Sequence, residues 1–392
     1  MTFNKNIDKI KPSRSMVIMQ KANELKKVDS EIVDLAGGEP DFDTPARITM
    51  EMIKHVSDGY THYTVGPGLP ELRKRIAQKL RVENHCHYTS DEIIVTPGGK
   101  YAIYMAAATL LNEGDEAIYL NPGWVSYPSI IEAVGAHSVP VNLDYENQYA
   151  ITLDKLEEKY SEKTKLLIIN YPNNPTGSIL HPEEMRVIKQ FLSAHEDIWL
   201  ISDEMYERIT FDQANNISPA SDEELKNRII TINGFSKSVA MTGWRMGYLA
   251  GSMEFVKRAN KLFQHTISCV SGFIQKAGIV ALDCVNEIEL MRQTYEERRN
   301  FFINALNEIP GVECRIPEGA FYAWVKFDIP GMDSEEICRY VLEEGKVVGV
   351  PGISYGEEEI VAMRFSFANS MENLTKAASQ LNAALKKLRG EK

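Results

Sequence analysis

Lys237 and Arg245 are the first residues of the sequence whose setting suggests chemistry. They lie in the segment FSKSVAMTGWRMGY, residues 235–248, where most other residues are small or apolar. Their spacing of eight residues suits neither a solvated helix face nor a ladder of salt bridges. Such dry surroundings disfavour the ammonium form of a lysine, so its amine can attack a carbonyl carbon. An arginine stays charged and suits a phosphate dianion, to which Ser236 can add a hydroxyl donor.

Three further candidates follow short apolar runs. Asp203 ends the run IWLISD, where an ionised carboxylate is costly unless a cation meets it, although taken alone it is more simply a cap of the next element. Asn174, in NYPNNPTG, either belongs to a plain turn or offers its amide to a ligand oxygen. Trp124, in NPGWVSYP, stands in a loop because Pro122 and Gly123 interrupt the preceding run. Each residue alone is weak evidence for a site.

The stretch PGGKYAIY places two glycines where a helix begins, and the exposed N–H groups of such a terminus bind phosphate well. It is not a Walker loop, because Lys100 is followed by Tyr101 rather than by Ser or Thr. No G-x-G-x-x-G opens a strand–helix unit, which gives a nicotinamide enzyme little support. No metal site is predicted, since His85 and His87 are neighbours in a polar turn and do not make the closed ligand set that zinc needs.

Seven short apolar runs predict buried strands, and amphipathic stretches such as 182–195 predict helices between them. The runs are EIIVT, EAIYL, HSVPVNL, TKLLIIN, IWLISDE, RIITING and GYLAG. Their β-branched and apolar character predicts an α/β protein whose mostly parallel sheet is covered by helices on both faces. In such sheets the site lies beyond the carboxyl ends of the strands, and nearly every candidate residue follows one of these runs.

The chain has 392 residues, too many for one compact core, so two domains are expected. Residues 286–308 predict a long amphipathic helix, after which the pattern changes. The strands AFYAWVKFD and VAMRFSFA then alternate with helices, as in a smaller α+β domain. The predicted division is a large domain over residues 44–285 and a small domain built from residues 1–43 and 286–392.

Charge and cysteine content narrow the kind of partner and the compartment. The net charge of −12 argues against a nucleic-acid surface or an anionic membrane as partner. The first residues are polar and basic without the apolar segment of a signal peptide, and no run reaches the roughly 18 apolar residues of a membrane span. Five cysteines without a C-x-x-C pair fit reduced thiols, so we expect a cytoplasmic protein.

Several motifs occur together in an order that one known family shares. They are GGEPDFDTP, THYTVGPGLPELR, NPGWVSYP, NNPTG, SDEMYE, FSKSVAMTGWRMGY and MRFSFA, and they run through almost the whole chain. In this order and spacing they resemble the class I/II aminotransferases, in particular the aspartate and aromatic branch. These are fold-type-I enzymes that use pyridoxal 5′-phosphate. The block SKSVAMTGWR is the most specific single motif.

The resemblance implies a role for each candidate. Lys237 forms an imine with the cofactor aldehyde, and Arg245 binds the cofactor phosphate with help from Ser236. Asp203 pairs with the pyridinium nitrogen and keeps it protonated, so that the ring can act as an electron sink. Trp124 stacks on the ring.

Five more residues complete the implied cofactor site. Tyr206 and Asn174 hydrogen-bond the phenolic oxygen of the ring, and the backbone of Gly99 and Lys100 holds the phosphate at the helix start. Tyr63 reaches the phosphate of the neighbouring subunit's cofactor. A homodimer whose active sites are shared across the interface is therefore part of the prediction.

For the substrate, the resemblance assigns Arg364, in MRFSFA, to the α-carboxylate, with help from the backbone of Gly38. A buried arginine on a strand needs an anionic partner in any case, so an ordinary salt bridge is the alternative. Asn174 and Trp124 are expected to face the substrate as well. Lys237 removes the α-proton and returns it to the cofactor carbon, while closure of the smaller domain excludes water.

The amino donor is less well specified. In one branch of the family a lysine at the position of Lys100 receives a distal carboxylate, which favours aspartate with 2-oxoglutarate as acceptor, unless Lys100 merely faces solvent. Arg14 stands in a segment that often lines the substrate mouth and usually has small residues there. GFSKS suits the aromatic and broad-specificity branch equally. A β-lyase on the same scaffold and a cofactor-binding regulatory protein remain alternatives.

Overall fold

The computed structural model describes residues 4–10, 12, 24–27 and 29–390, so Arg14 lies outside the described residues. The strands are β1 (Val33–Asp34), β2 (Ile93–Thr96), β3 (Glu116–Asn121), β4 (His137–Asn142), β5 (Thr164–Asn170), β6 (Trp199–Asp203), β7 (Ile229–Gly234), β8 (Gly247–Ala250), β9 (Val312–Cys314), β10 (Tyr322–Phe327), β11 (Val347–Val348), β12 (Val350–Pro351) and β13 (Ala362–Ser366). The α-helices of five or more residues are α1 (Lys5–Lys9), α2 (Ala46–Ser57), α3 (Pro70–Glu83), α4 (Gly99–Leu110), α5 (Tyr127–Ala133), α6 (Leu153–Lys159), α7 (Pro182–Ala194), α8 (Met253–Thr266), α9 (Gly272–Ala281), α10 (Val285–Asn307), α11 (Ser334–Glu343) and α12 (Met371–Leu388). None of the helices in the described part of the chain is both long and apolar enough to cross a membrane.

The predicted α/β fold with a mostly parallel sheet is confirmed. All seven predicted strands join one sheet in the order β2-β8-β7-β6-β5-β3-β4. Strands β4, β3, β5, β6 and β7 pair in parallel, whereas β8 runs antiparallel to both of its neighbours, β7 and β2. Because β8 is reversed, the residue just before it lies at the same edge of the sheet as the residues that follow the parallel strands. Arg245, which precedes β8, reaches the predicted site for this reason.

A second, antiparallel sheet carries the predicted substrate arginine. Its order is β12-β13-β10-β9, and Arg364 on β13 lies opposite Trp324 on β10 and Val350 on β12. Strand β1 pairs in parallel with β11, with Val33 opposite Val347. A segment near the start of the chain is thereby joined to the C-terminal part.

The helices on either side of β13 begin at well-formed caps. The Asp333 carboxylate accepts hydrogen bonds from the backbone N–H groups of Glu335 and Glu336, both at 2.8 Å, and the Glu336 carboxylate accepts one from the Asp333 N–H at 2.9 Å. This reciprocal capping box starts α11. The Ser370 hydroxyl accepts from the Asn373 N–H at 3.2 Å and starts α12. These local signals fix the residues at which α11 and α12 begin.

Buried apolar side chains form two clusters. The larger surrounds the seven-stranded sheet, and the smaller surrounds the four-stranded sheet together with α10, α12 and β1. Tyr206 follows β6 of the large sheet in sequence, yet it packs in the smaller cluster. The two clusters therefore meet beside the residues that follow β6. The domain boundaries predicted at residues 44 and 285 stay a prediction.

Gly177 ties the NNPTG loop to a segment more than a hundred residues away. Its carbonyl accepts hydrogen bonds from the N–H groups of Glu318, at 3.0 Å, and Gly319, at 2.8 Å. Its φ is +76°, and a Cβ at this position would overlap the Cβ of Pro317 and stand 3.0 Å from the Gly319 carbonyl oxygen. Only glycine fits both the backbone conformation and this close approach.

Replacing Gly177 by alanine tests this contact. Gly177→Ala should lower the free energy of unfolding by about 2–4 kcal/mol, because the left-handed φ and the collision both oppose a side chain. Gly114→Ala is the matched control, since Gly114 has a φ of +87° but no atom within 4 Å of its added Cβ, and it should cost about 1 kcal/mol. Denaturant titration of both variants measures the difference. Equal losses would show that the loop contact does not constrain Gly177.

Candidate active site

A cavity of about 290 Å³ opens at the sheet edge where the parallel strands end. The predicted site residues that line it are Gly38, Gly99, Lys100, Trp124, Asn174, Asp203, Tyr206, Ser236, Lys237, Arg245 and Arg364. Among the predicted site residues only Tyr63 lies elsewhere. The cavity thus combines one carboxylate, four cationic side chains and several hydrogen-bonding groups.

Asp203 is the last residue of β6 and is 6% exposed. Its Oδ2 accepts a hydrogen bond from the Tyr127 hydroxyl at 2.7 Å, and its Oδ1 accepts one from the Met205 N–H at 3.3 Å. Burial raises the pKa of Asp203 to about 6, although these two hydrogen bonds and the charge of Lys237 oppose the rise. Asn170, at the end of β5, donates its Nδ2 to the Asp203 carbonyl oxygen at 2.9 Å. The carboxylate is therefore fixed in place and mostly ionised at neutral pH.

Lys237 lies in the loop between β7 and β8. Its amino group donates to the carbonyl oxygen of Gly38 and lies 5.9 Å from the ring centroids of both Tyr206 and Phe321. Burial lowers the pKa of Lys237 to about 8, which Glu39 opposes and the nearby arginines reinforce. The neutral amine that attacks a carbonyl is consequently populated near neutral pH, where an ordinary lysine has almost none.

Arg245 and the start of α4 converge on one point of the cavity. Arg245 has a φ of +52° and donates from Nη1 to the Thr242 carbonyl oxygen at 2.9 Å. Its guanidinium lies so close to Gly98 that a Cβ there would be 2.6 Å from Nη2. Gly98 is the N-cap of α4, and no side chain caps this terminus. The free N–H groups and the guanidinium together make a strongly anion-attracting corner.

Arg364 is 4% exposed on β13. Its Nη1 donates to Asn174 Oδ1 at 2.9 Å, and its Nη2 donates to the Ala36 carbonyl oxygen at 2.7 Å. The Tyr322 and Tyr355 ring centroids lie 4.2 and 5.1 Å from the guanidinium carbon. Within the described part of the chain no carboxylate pairs with Arg364, and its buried Nε has no hydrogen-bond partner. A buried guanidinium with a free donor and no acid partner is suited to bind an anionic ligand. This disfavours the alternative that Arg364 forms an ordinary salt bridge within the chain.

Asn174 and Tyr206 present further donors to the cavity. The Asn174 N–H donates to Asn170 Oδ1 at 2.9 Å, which fixes the loop after β5. Because Asn174 Oδ1 accepts from Arg364, its Nδ2 is turned away from that cation and remains to donate to a ligand. The Tyr206 hydroxyl lies 2.8 Å from the Tyr322 hydroxyl.

Trp124 and Lys100 stand together on another wall. The Trp124 ring meets the Tyr127 ring edge-on, with centroids 5.3 Å apart, and Lys100 Nζ lies 4.9 Å from the Trp124 ring centroid. Burial, and after it the charge of Arg245, lowers the pKa of Lys100. The Lys100 ammonium is thus held at the cavity against the indole, although the residue as a whole is exposed. Ser236, also on the cavity, is buried.

Tyr63 does not contribute to the cavity of its own chain. It is 90% exposed in the segment between α2 and α3. The prediction that it serves a neighbouring subunit is not tested by a single chain.

The sequence missed three residues that shape the cavity. Asn170 gave the same signal as Asn174, an amide at the end of a predicted strand. Tyr127 lies in the quoted motif NPGWVSYP, but nothing local relates it to Asp203, 76 residues away. Tyr322 gave no signal, because AFYAWVKFD has the pattern of an ordinary buried strand.

Comparisons with known proteins point to the family that the sequence motifs resemble. The family model for aminotransferases of class I and II matches residues 30–381. An aspartate aminotransferase of Musicola paradisiaca is 39% identical over 382 residues, which cover 97% of this chain and 95% of that protein. A probable aspartate/prephenate aminotransferase of Rickettsia conorii is 39% identical over 97% of each protein. The crystal structure of the aspartate aminotransferase from Rhizobium meliloti superposes with a TM-score of 0.93 at 33% identity over 98% of both chains. The chain belongs to the class I and II aminotransferase family.

Proposed function

We propose that this aminotransferase uses pyridoxal 5′-phosphate and moves the amino group of aspartate, its preferred donor, to a 2-oxo acid such as 2-oxoglutarate. One observation carries the proposal: the Lys237 amine, the Asp203 carboxylate and the Arg364 guanidinium open onto one cavity. An amine of lowered pKa suits the cofactor aldehyde, a buried carboxylate suits its protonated ring nitrogen, and a guanidinium without an acid partner suits a substrate carboxylate. Together with the phosphate corner, these three groups meet the needs of transamination on pyridoxal phosphate, and a β-lyase on the same scaffold would use the same lysine and carboxylate.

The start of α4 fits the phosphate end of the cofactor. A Cβ at Gly98 would come within 2.6 Å of Arg245, and one at Gly99 would overlap the end of the Met205 side chain. The glycines therefore let the backbone N–H groups approach an anion that Arg245 also contacts. Ser236 and its hydroxyl lie on the same cavity. A phosphate dianion would offset the charge that Arg245 brings into this corner.

Asp203, Trp124, Asn174 and Tyr206 line the cavity and would hold the ring of the cofactor. Asp203, mostly ionised at neutral pH, would accept a hydrogen bond from the ring nitrogen and keep the proton on that nitrogen. The Trp124 indole offers an aromatic face on the cavity. Asn174 Nδ2 and the Tyr206 hydroxyl would donate to the phenolic oxygen, and both would favour its anionic form.

Pyridoxal 5′-phosphate, when bound, supplies an aldehyde that takes up the amino group and a ring that withdraws the electron pair released at the substrate α-carbon. Arg364 holds the substrate α-carboxylate, and its own plane is fixed by Asn174 and by the Ala36 carbonyl. Lys237 Nζ takes the α-proton and later returns it. A pKa of about 8 suits Lys237 to both tasks, because the amine is a base at neutral pH and an effective acid once protonated.

The preference for aspartate rests on Lys100. The Lys100 ammonium lies against Trp124 on the cavity, where a distal carboxylate of a substrate held by Arg364 can meet it. The lowered pKa of Lys100 reflects burial and the repulsion of Arg245, and a second carboxylate would relieve that repulsion. The names of the relatives from Musicola paradisiaca and Rickettsia conorii support the same donor.

A homodimer with shared active sites is also part of the proposal. Helix α2 exposes Met50, Ile53 and Val56 at intervals of three residues, with exposures of 65, 50 and 40%. Tyr63 and Val65 follow with exposures of 90 and 51%. An apolar stripe of this kind is suited to association with a second copy of the chain. In such a dimer the exposed Tyr63, which follows the stripe in sequence, would reach the partner's site.

The pH dependence of cofactor capture tests Lys237. The rate at which the apoenzyme takes up pyridoxal phosphate should rise with pH around a midpoint near 8, because only the neutral amine reacts and burial lowers the Lys237 pKa to about 8. Stopped-flow absorbance measures this rate. A midpoint near the ordinary lysine value of 10.5 would contradict the assignment. Borohydride reduces the imine and so fixes the cofactor on the lysine that carries it. Lys237→Ala should abolish this covalent label and lower kcat by at least about 10³-fold. A label found on another lysine would exclude Lys237 as the attachment point.

Substrate selectivity tests Lys100. Lys100→Met should lower kcat/KM for aspartate by about 10- to 100-fold, because a charge-assisted hydrogen bond is lost, and should leave phenylalanine and alanine within about threefold. Half-reaction rates for the three donors measure the effect. Lys257→Met, which removes an exposed lysine of α8 away from the cavity, is the control and should change none of them. Equal losses for all donors, or wild-type rates lowest for aspartate, would end the assignment of aspartate.

Mixing two impaired variants tests whether the active site is shared between subunits. Tyr63→Ala and Lys237→Ala homodimers should both be impaired, but hybrids formed from them contain one site with an intact Lys237 and an intact Tyr63. Activity should therefore return when the two variants are unfolded together and refolded, at cofactor concentrations that limit the Tyr63→Ala enzyme. Refolding Lys237→Ala alone is the control. Absence of recovery, with hybrid dimers shown by mass spectrometry, would mean that Tyr63 does not serve the partner's site.

A further inference from the structure

Tyr322 connects the two ends of the cavity. It is fully buried on β10 and lines the cavity. Its hydroxyl lies 2.8 Å from the Tyr206 hydroxyl, and its ring centroid lies 4.2 Å from the guanidinium carbon of Arg364. A Cβ at Gly38 would be 3.3 Å from the Tyr322 hydroxyl, so the glycine leaves room for that group. One phenol thus contacts both the group assigned to the cofactor and the group assigned to the substrate.

The hydrogen bond between the two phenols has a preferred direction. Only one of the two protons can lie between the oxygens, and the more acidic phenol donates it. Burial raises the pKa of Tyr206 well above its usual value, the neighbouring Tyr322 adds to the rise, and the charge of Arg364 opposes it. Burial raises the pKa of Tyr322 as well, but the Arg364 guanidinium and the hydrogen bond with Tyr206 oppose the rise. Because the Arg364 guanidinium lies over the ring of Tyr322 and polarises this phenol, we assign Tyr322 as the donor, which leaves the Tyr206 proton for the cavity.

Resting on the cofactor proposed above, we propose that Tyr322 is a positioning residue that donates to Tyr206, so that the Tyr206 proton points at the phenolic oxygen of the cofactor and its donor strength follows the charge at Arg364. A hydrogen bond received by Tyr206 polarises its O–H group and strengthens the bond that it gives. The guanidinium above the Tyr322 ring strengthens the first bond in turn. A change of charge at Arg364 therefore changes the strength of the hydrogen bond that Tyr206 gives to the cofactor. We call this chain of contacts, Arg364 to Tyr322 to Tyr206, the relay.

A substrate carboxylate changes this relay in a defined direction. When it pairs with Arg364, the positive field on the Tyr322 ring falls, Tyr322 becomes a weaker donor, and Tyr206 donates less strongly. The phenolic oxygen then holds its own proton more tightly. The other ionisable groups facing the two phenols are Asp203, Lys237, Tyr295 and Tyr355.

Removing the Tyr322 hydroxyl tests the relay by spectroscopy. In Tyr322→Phe the pH midpoint of the visible absorption change of the bound cofactor should rise by about 0.3–1 unit, since one cooperative hydrogen bond is lost. Tyr206→Phe should raise it further. Tyr355→Phe is the matched control, because Tyr355 is also buried near Arg364 but its hydroxyl has no hydrogen-bond partner among the described residues. An unchanged midpoint in Tyr322→Phe, or an equal rise in Tyr355→Phe, would overturn the proposal.

A dicarboxylate that does not react, such as maleate, tests the coupling to Arg364. Maleate should raise the midpoint of the wild-type enzyme, and the rise should be smaller in Tyr322→Phe. A rise of the same size in both would show that Tyr322 does not transmit the charge at Arg364. Steady-state kinetics distinguish the contribution of the Tyr322 hydroxyl from that of its ring. Tyr322→Phe should lower kcat with little change in KM. Tyr322→Leu should also raise KM, because the Arg364 guanidinium loses its aromatic contact.

Different results would contradict the proposed function and the role of Tyr322. A wild-type protein that binds no pyridoxal phosphate and shows no visible absorption change would overturn the proposed function. A wild-type protein with a normal titration, whose Tyr322→Phe variant titrates identically, would overturn only the relay.

Discussion

Arg364 keeps its charge inside the protein with an amide oxygen and a carbonyl oxygen as partners instead of a carboxylate. Lys237 and Arg245 bring two more cationic groups to the same cavity, and Asp203 is the acid that lines it with them. An ion removed from water costs several kcal/mol unless an opposite charge meets it. The cavity is therefore incomplete without anions, and the proposed cofactor phosphate and substrate carboxylate would supply the charge that the chain does not. Affinity for such ligands follows from this imbalance of charge.

The neighbouring acid in the motif SDEMYE does not correct the imbalance. Successive residues of an extended strand point to opposite faces, so Glu204 points away from the side that Asp203 takes. Its Oε1 accepts hydrogen bonds from the hydroxyls of Ser202, at 2.9 Å, and Ser218, at 2.8 Å. Burial raises the pKa of Glu204 to about 8, so this carboxyl is mostly neutral at pH 7. Because side chains alternate along the strand, Asp203 faces the cavity and Glu204 points to the opposite side of the sheet.

Local sequence pattern predicted the large sheet well and the cavity in part. The seven apolar runs became the seven strands, and Asp203 and Asn174 were predicted because they end or follow such runs. The reversed direction of β8 was not predictable, because a four-residue strand reads the same in either direction. The pairing of Tyr322 with Tyr206 spans 116 residues and depends on how the two sheets meet, which no local pattern records. Roles on the cofactor came from the resemblance to the family, not from spacing.

Residues 36–38 link the two sheets at the point where the chemistry is proposed. The Ala36 carbonyl accepts from Arg364, the Gly38 carbonyl accepts from Lys237, and the missing side chain of Gly38 admits the Tyr322 hydroxyl. These partners come from the four-stranded sheet and from the loop between β7 and β8. Any shift of β13 relative to the large sheet must carry this segment with it, because its carbonyl is bonded to Arg364. The acceptor that holds the Lys237 amine then moves as well, so the position of the Arg364 guanidinium and the freedom of the Lys237 amine are set by the same short stretch of backbone.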